Sequence, residues 1–154
     1  MTAARVRRAH GADARALVAL CAEHASYERA SFAADGKCDA LRTALDACPP
    51  RLFAWLAERD GTAVGYASAS FEYSTWDARE FLHMDCLYLR DDARGAGVGA
   101  ALVDALVAHA RAHGCAELQW QTPAWNARAI RFYSRLGAIG AGKIRFRQAV
   151  DRQS

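Results

Sequence analysis

Six residues, Arg94-Gly95-Ala96-Gly97-Val98-Gly99, stand between an apolar run, Cys86-Leu87-Tyr88-Leu89, and an amphipathic stretch from Ala100 to His113. Strand, glycine-rich turn and helix in that order make an anion cradle. Glycines let the backbone approach a ligand closely, and their N–H groups join the unpaired N–H groups of the helix's first turn. The expected guest is a phosphate-bearing cofactor held by Arg94 to Ala100. A dinucleotide fingerprint needs G-x-G-x-x-G spacing, whereas Gly95, Gly97 and Gly99 alternate. A Walker loop needs Lys-Ser/Thr after its last glycine, and Ala100-Ala101 follow instead. An ordinary tight turn is the simpler alternative, but three glycines and an arginine in this span exceed what a turn requires.

A second segment follows downstream: Trp125-Asn126-Ala127-Arg128-Ala129-Ile130-Arg131-Phe132-Tyr133, then Leu136-Gly137-Ala138. Arg94, Gly97 and Gly99 fit a Gln/Arg-x-x-Gly-x-Gly/Ala loop. The later segment fits Asn-x-x-Ala-x-x-Phe-Tyr-x-x-x-Gly-Phe/Ala. In this order and separation the two motifs resemble those of the GNAT N-acetyltransferase superfamily. The resemblance implies acetyl-CoA as cosubstrate, with Leu87, Tyr88, Leu89, Arg94–Ala100, Asn126 and Ala129 around it. It also implies that Tyr133 is the general acid for the departing thiolate. A phenol of pKa about 10 stays protonated at neutral pH and suits that role. The alternative is a core tyrosine with its hydroxyl paired. Asn126 reads as a helix N-cap in its own right, and the resemblance adds a hydrogen bond to the pantetheine arm. A strand edge left open at Leu87–Leu89 pairs with pantetheine amides in this picture, with one N–H, that of Leu87, polarising the thioester carbonyl.

At 154 residues with 53% hydrophobic and 24% charged content, the chain reads as a single soluble domain over 1–154. Its net charge of +3 comes from scattered arginines, which argues against nucleic acid. No apolar run approaches the ~20 residues of a membrane span, and Gly11-Ala12-Asp13 follows the early arginines where a signal would turn apolar. The cytoplasm is the expected location. The five cysteines lack a Cys-x-x-Cys pair, so neither a zinc site nor a disulfide framework is expected. His109 and His113 have metal-ligand spacing but no third ligand in view.

The pattern predicts a strand at Val6, and a helix from an Asp13 N-cap to Ala25 that places Leu17, Leu20, Cys21 and His24 on one face. A second helix is expected near Asp39–Ala47. A hairpin turns at Asp60-Gly61 between strands at Leu52–Ala57 and Ala63–Phe71. Glu72–Arg79 reads as a loop. Phe81–Leu89 is the next strand, followed by the glycine loop and its helix, which Gly114 stops. Then come a strand at Glu117–Thr122, a helix from Asn126 to Gly137, and a closing strand at Ala141–Val150. This order predicts an α/β fold with a mixed, mostly antiparallel sheet and helices on both faces, as in the GNAT fold.

Asp85 is a carboxylate in the otherwise apolar strand 81–89, costly unless paired or functional. Three readings stay open: a base acting directly or through water, an anchor for an ammonium group, or an ion pair with a nearby arginine. A His83–Asp85 pair on one strand face is a further option. Tyr27-Glu28, the Phe71–Trp76 segment and Asp85 ahead of Leu87 resemble the spermidine/spermine N-acetyltransferase branch with its diamine and thialysine acetylating relatives. That likeness implies substrate contacts at Tyr27, Glu28, Trp76 and Asp85. Two departures weaken the case for a polyamine: Asp85 stands for a glutamate, about 1.5 Å shorter, and Cys86 for a second acid. The resulting reading is direct acetyl transfer in a ternary complex to the primary amine of a polyamine, diamine or amino-acid-like molecule, without metal. Rivals are a peptide or protein acetyltransferase and a non-catalytic acyl-CoA sensor; a nucleophilic Cys86 lacks a visible histidine partner. Relatives of the branch commonly pair, and Phe146 and Trp76 look exposed, so a homodimer is expected.

Overall fold

The structure is a computed structural model that describes residues 2–150. It comprises two compact units, the first ending at Gln121 and the second beginning at Thr122.

In the first unit, strands β1 (Arg5–Arg8), β2 (Phe53–Arg59), β3 (Thr62–Ser74), β4 (Arg79–Leu89) and β5 (Leu118–Gln119) form one sheet in chain order. The first four are antiparallel, and β5 joins β4 in parallel through Leu82 and His83 alone. Helices α1 (Ala14–Tyr27) and α2 (Lys37–Asp46) precede the hairpins, and α3 (Val98–Ala112) follows β4.

Strand alternation assigns the two faces. Leu56 lies opposite Tyr66, and both pack with Leu17 and Leu20 of α1 and Leu45 of α2. Phe53 and Trp55 point the other way, where both rings meet His109 of α3. The mixed sheet with helices on both faces is therefore as the pattern predicted. The Asp60-Gly61 turn also holds: both residues have positive φ, as a two-residue hairpin turn of this hand requires.

Three local expectations are corrected. Asp13 precedes α1 but does not cap it, because its carboxylate is taken by Arg7 and by the His10 N–H. The segment 72–79 is mostly strand, with only a tight turn at 75–78, since Phe71 and Tyr73 continue the β3 ladder. In the second unit, 141–150 carries no strand: Ile144 and Phe146 alternate with basic residues as a strand would, but alternation identifies a candidate and cannot supply a hydrogen-bonding neighbour. Helix α4 (Ala127–Arg135) is capped as expected, with the Ala129 N–H donating to Asn126 Oδ1 at 3.1 Å, and Gly137 ends it at φ +85°.

Arg7 joins the start of the chain to β2. Its guanidinium bonds Glu58 at 2.6 Å and Asp13 at 2.8 Å and holds both carboxyls below their usual pKa. Groups depressed in the folded state add stability above the ordinary carboxylate pKa of about 4 and lose it as pH falls through the lower folded value. Arg7→Met should therefore melt several degrees below the parent at pH 7, with the gap closing as acid protonates the two carboxyls. Thermal circular dichroism across pH checks this.

Gly65 faces Leu89 across the β3–β4 ladder, where an added Cβ would meet the Leu89 side chain and lie 2.6 Å from the Tyr88 carbonyl oxygen. Gly65→Ala must push β4 aside. A cost of about 1–3 kcal/mol is expected, or roughly 3–10 °C in melting temperature. An unchanged melting curve would contradict the close approach.

Candidate active site

The β3–β4 register shifts once. Ser68 pairs with Cys86 and Ala69 with Met84, which leaves Asp85 as the extra residue of a β-bulge. Beyond Leu82 and His83, β4 has no outer partner among the described residues. The outer backbone edge from Asp85 to Leu89 is thus unladdered within the first unit, the condition for pairing with an extended ligand.

The bulge changes how Asp85 reads. The carboxylate is exposed, where the apolar character of the strand had suggested a buried acid. Among the described residues it has no ion pair; its one hydrogen bond is from the Cys86 thiol at 3.5 Å. The arginine partner is thereby excluded for the described residues. The His83–Asp85 pair is also excluded, because His83 Nδ1 engages Glu72 at 2.7 Å. Burial and the Asp85 charge push the Cys86 thiol up to about 12, so it stays protonated and is a poor nucleophile.

The turn after β4 bends through Asp91–Ala93 to the glycine loop. Gly95 and Gly97 have φ of +82° and +79°, and a Cβ on either would meet nothing within 4 Å. Their glycines answer a backbone need and leave the loop's surface open. No side chain caps α3 at Gly97. Its first-turn N–H groups therefore lie beside an unobstructed, positively polarised loop, which fits a diphosphate. Val98 and Gly99 are buried and anchor the helix. Arg94 itself turns inward: Nε donates to the Leu89 carbonyl at 2.9 Å, Nη1 pairs with Asp91, and the guanidinium lies 4.8 Å over the Tyr27 ring and 5.8 Å over Tyr88.

Tyr27 is thus tied to the loop through Arg94, and it also leans on Tyr88 at 6.3 Å. Glu28, one residue on, is held by His24. The sequence pattern placed His24 on the packed face of α1 but missed its partners. Its ring stacks on Tyr88 at 5.3 Å, its Nδ1 lies 3.0 Å from the Tyr66 hydroxyl and its Nε2 lies 3.3 Å from Glu28. A carboxylate only accepts, so Nε2–H donates to Glu28 and Nδ1 accepts from Tyr66 O–H. The Tyr66 hydroxyl is raised far above the usual range by burial, and it also accepts from the Cys21 thiol at 3.4 Å. The i, i+4 spacing of His24 and Glu28 was the one signal available in sequence.

Trp76 stands apart from this group. It is fully exposed at the β3–β4 turn, and Asp85 lies six strand residues past Arg79, roughly 20 Å along β4. The two do not meet within this chain's hairpin. Phe71 packs elsewhere, on Phe53, His109 and His113. That packing also occupies the two histidines, and burial brings His109 down to about 4. No cluster of three metal-ligating side chains occurs among the described residues, and no described helix is long and apolar enough to cross a membrane. In the second unit, Asn126 is buried at the N-cap and Tyr133 is half-buried on α4, beside the Phe132 ring at 5.1 Å.

Residues 14–138 match the acetyltransferase (GNAT) family. The chain belongs to the GNAT acetyltransferases. It is 29% identical to bovine thialysine N-epsilon-acetyltransferase over 141 residues, covering 86% of this chain and 82% of that protein. It is 36% identical over 87 residues to the L-methionine sulfoximine/L-methionine sulfone acetyltransferase of Pseudomonas aeruginosa, covering 54% and 48%. Among solved structures, an aminoglycoside acetyltransferase from a soil metagenome superposes with a TM-score of 0.83 at 13% identity, over 96% of this chain and 97% of that one. Aminoglycoside N-acetyltransferase AAC(6')-Iy, solved in complex with CoA, gives 0.81 at 19% identity over 95% and 94%. At these identities the two structures speak for the fold alone. The GNAT chain is accordingly an N-acetyltransferase.

The glycine loop yields a direct test. Gly97→Asp should weaken acetyl-CoA binding at least tenfold by calorimetry, because it places a negative charge in the cradle. Gly97→Asn makes the same demand on the left-handed backbone without the charge and should retain most of the affinity. Equal losses in the two variants would assign the effect to backbone strain.

Proposed function

We propose that this chain transfers the acetyl group of acetyl-CoA directly to the primary amine of a small molecule within a ternary complex. The observation that carries the reading is the β4 bulge. It sets an exposed carboxylate without an ionic partner immediately before an open strand edge, and that edge runs into the glycine loop. Acetyl-CoA supplies an activated thioester. The backbone of Gly95 to Ala100 holds its diphosphate, the β4 edge at Leu87–Leu89 pairs with its amide-bearing arm, and the Leu87 N–H polarises the carbonyl. Asn126 adds a hydrogen bond to that arm while capping α4.

Amines with pKa near 10 arrive charged and must lose a proton before they attack. Asp85 first pairs with the ammonium and then accepts its proton, directly or through water. Tyr133 donates a proton to the departing sulfur. Tyr27 and Glu28 line the acceptor side, where the His24–Tyr66 chain fixes Glu28. The relatives' substrates support a small amine: one protein is named for thialysine, and others for D-amino acids and for methionine sulfoximine. The protonated Cys86 favours direct transfer over an acyl-cysteine. The reading extends to a single N-acetyltransferase domain over 1–154, to a cytoplasmic enzyme and to a homodimer supported by exposed Ile144 and Phe146.

Two substitutions test the chemistry. Tyr133→Phe should lower kcat by about 10²-fold with little change in CoA affinity, as loss of a general acid does. Asp85→Asn should lower kcat/KM at least about tenfold at neutral pH, and the loss should shrink as pH rises and more substrate arrives neutral. Because Asp85 is exposed and has no ionic partner among the described residues, its melting temperature should match the parent's. Wild-type turnover in both variants would leave the two residues without a chemical role.

A further inference from the structure

Asp85 is exposed, yet its carboxylate does not turn freely: the Cys86 thiol donates to Oδ2 at 3.5 Å. The two residues are consecutive. A regular strand sends consecutive side chains to opposite faces and would keep a thiol from its neighbour's carboxylate. The β-bulge brings them together, because Asp85 is the extra residue and the ladder resumes at Cys86 opposite Ser68. The sulfur end is anchored. Cys86 is half-buried and packs against the core formed by Leu17, Leu20 and Tyr66, so the donor is held in place while the carboxylate faces solvent.

The kind of donor matters as much as its place. A guanidinium beside Asp85 would offset the charge that an ammonium needs and compete for both oxygens. A thiol is a weak, uncharged donor, so it directs the carboxylate without cancelling its charge. It also remains a donor. Burial, and then the Asp85 charge itself, push the thiol up to about 12, so the carboxylate preserves the proton that holds it.

We infer that Cys86 is a positioning residue for acetyl transfer: its S–H holds Asp85 Oδ2 and leaves Oδ1 as the atom that receives the amine's proton. The inference rests on the reading of Asp85 as the base and adds the group that aims it. Attraction between a carboxylate and an ammonium tolerates rotation, because it depends on distance. Proton transfer needs an oxygen lined up within hydrogen-bond reach. Loss of the thiol proton should therefore lower kcat and leave KM for the amine little changed.

Four variants make two pairs of matched shape, Cys86→Ala with Cys86→Ser and Cys86→Val with Cys86→Thr, and only the second member of each carries a donor. The donor-free members should lose roughly threefold to tenfold in kcat with KM within about twofold, and the hydroxyl members should recover most of that loss. Having two pairs guards against a substitution that fails to fold, which melting curves reveal. In the Asp85→Asn background the difference within each pair should vanish, since no base is left to aim. A further readout needs no turnover. Infrared difference spectra of the parent against Cys86→Ser isolate the Cys86 S–H stretch, and Asp85→Ala should raise its frequency by releasing the hydrogen bond. Equal kcat within the pairs, a difference that persists in the Asp85→Asn background, or an S–H band indifferent to Asp85→Ala would each overturn the inference. Asp85→Asn alone tells its failure from that of the base. Parent turnover in that variant removes the base and its aim together, whereas a base-dependent rate with equal kcat within the pairs removes only the role of Cys86.

Discussion

The extra residue in β4 is the constraint on which the rest of this molecule turns. Strand side chains alternate, so one inserted residue exchanges the two faces from that point on. Before the bulge, Leu82 and Met84 lie opposite Phe71 and Ala69, on the α3 side. After it, Cys86 and Tyr88 lie opposite Ser68 and Tyr66 and pack into the α1 core. Asp85 belongs to neither face and is turned out to solvent. Without the insertion, Asp85 would point into the apolar core and Tyr88 away from His24.

That exchange of faces assembles a polar chain inside an apolar layer. Tyr66 is buried among leucines, yet its hydroxyl is satisfied by His24 and Cys21, and His24 passes the connection out to Glu28 at the protein surface. A buried hydroxyl and imidazole are tolerable only when each partner is supplied, and a satisfied chain specifies one packing of α1 against the sheet. The stacked His24 and Tyr88 rings and the Arg94 guanidinium over Tyr27 and Tyr88 continue this order as far as the glycine loop.

Features whose causes are local were legible in the sequence. The Asp60-Gly61 turn, the Asn126 cap, the left-handed glycines of the loop and the Gly114 and Gly137 stops each depend on a few neighbouring residues. Features that depend on distant partners were not. Asp13 looked like a cap until Arg7, held by Glu58 of β2, claimed its carboxylate. Asp85 looked buried because a bulge is a property of two strands in register. His24 was correctly placed on the packed face, but its role depends on Tyr66, forty-two residues away. The alternation of residues 143–147 reads as a strand in any sequence window; only a neighbour's backbone could make it one. The family motifs legible around Arg94 and Tyr133 foretold the fold because they report a whole domain's ancestry rather than local physics.

The inward turn of Arg94 has a consequence for how the loop can hold an anion. Its Nε, its Nη1 and its plane are committed to Leu89, Asp91, Tyr27 and Tyr88, and Asp91 offsets its charge. What the loop offers outward is main chain: amides fixed in place by left-handed glycines and by the buried start of α3. Such donors freeze no rotamers when they engage, so little conformational entropy is lost on capture. They do not titrate, and their directions are set before any guest arrives. Selectivity at such a surface comes from shape, the spacing of oxygens against the spacing of amides, more than from the sum of charges.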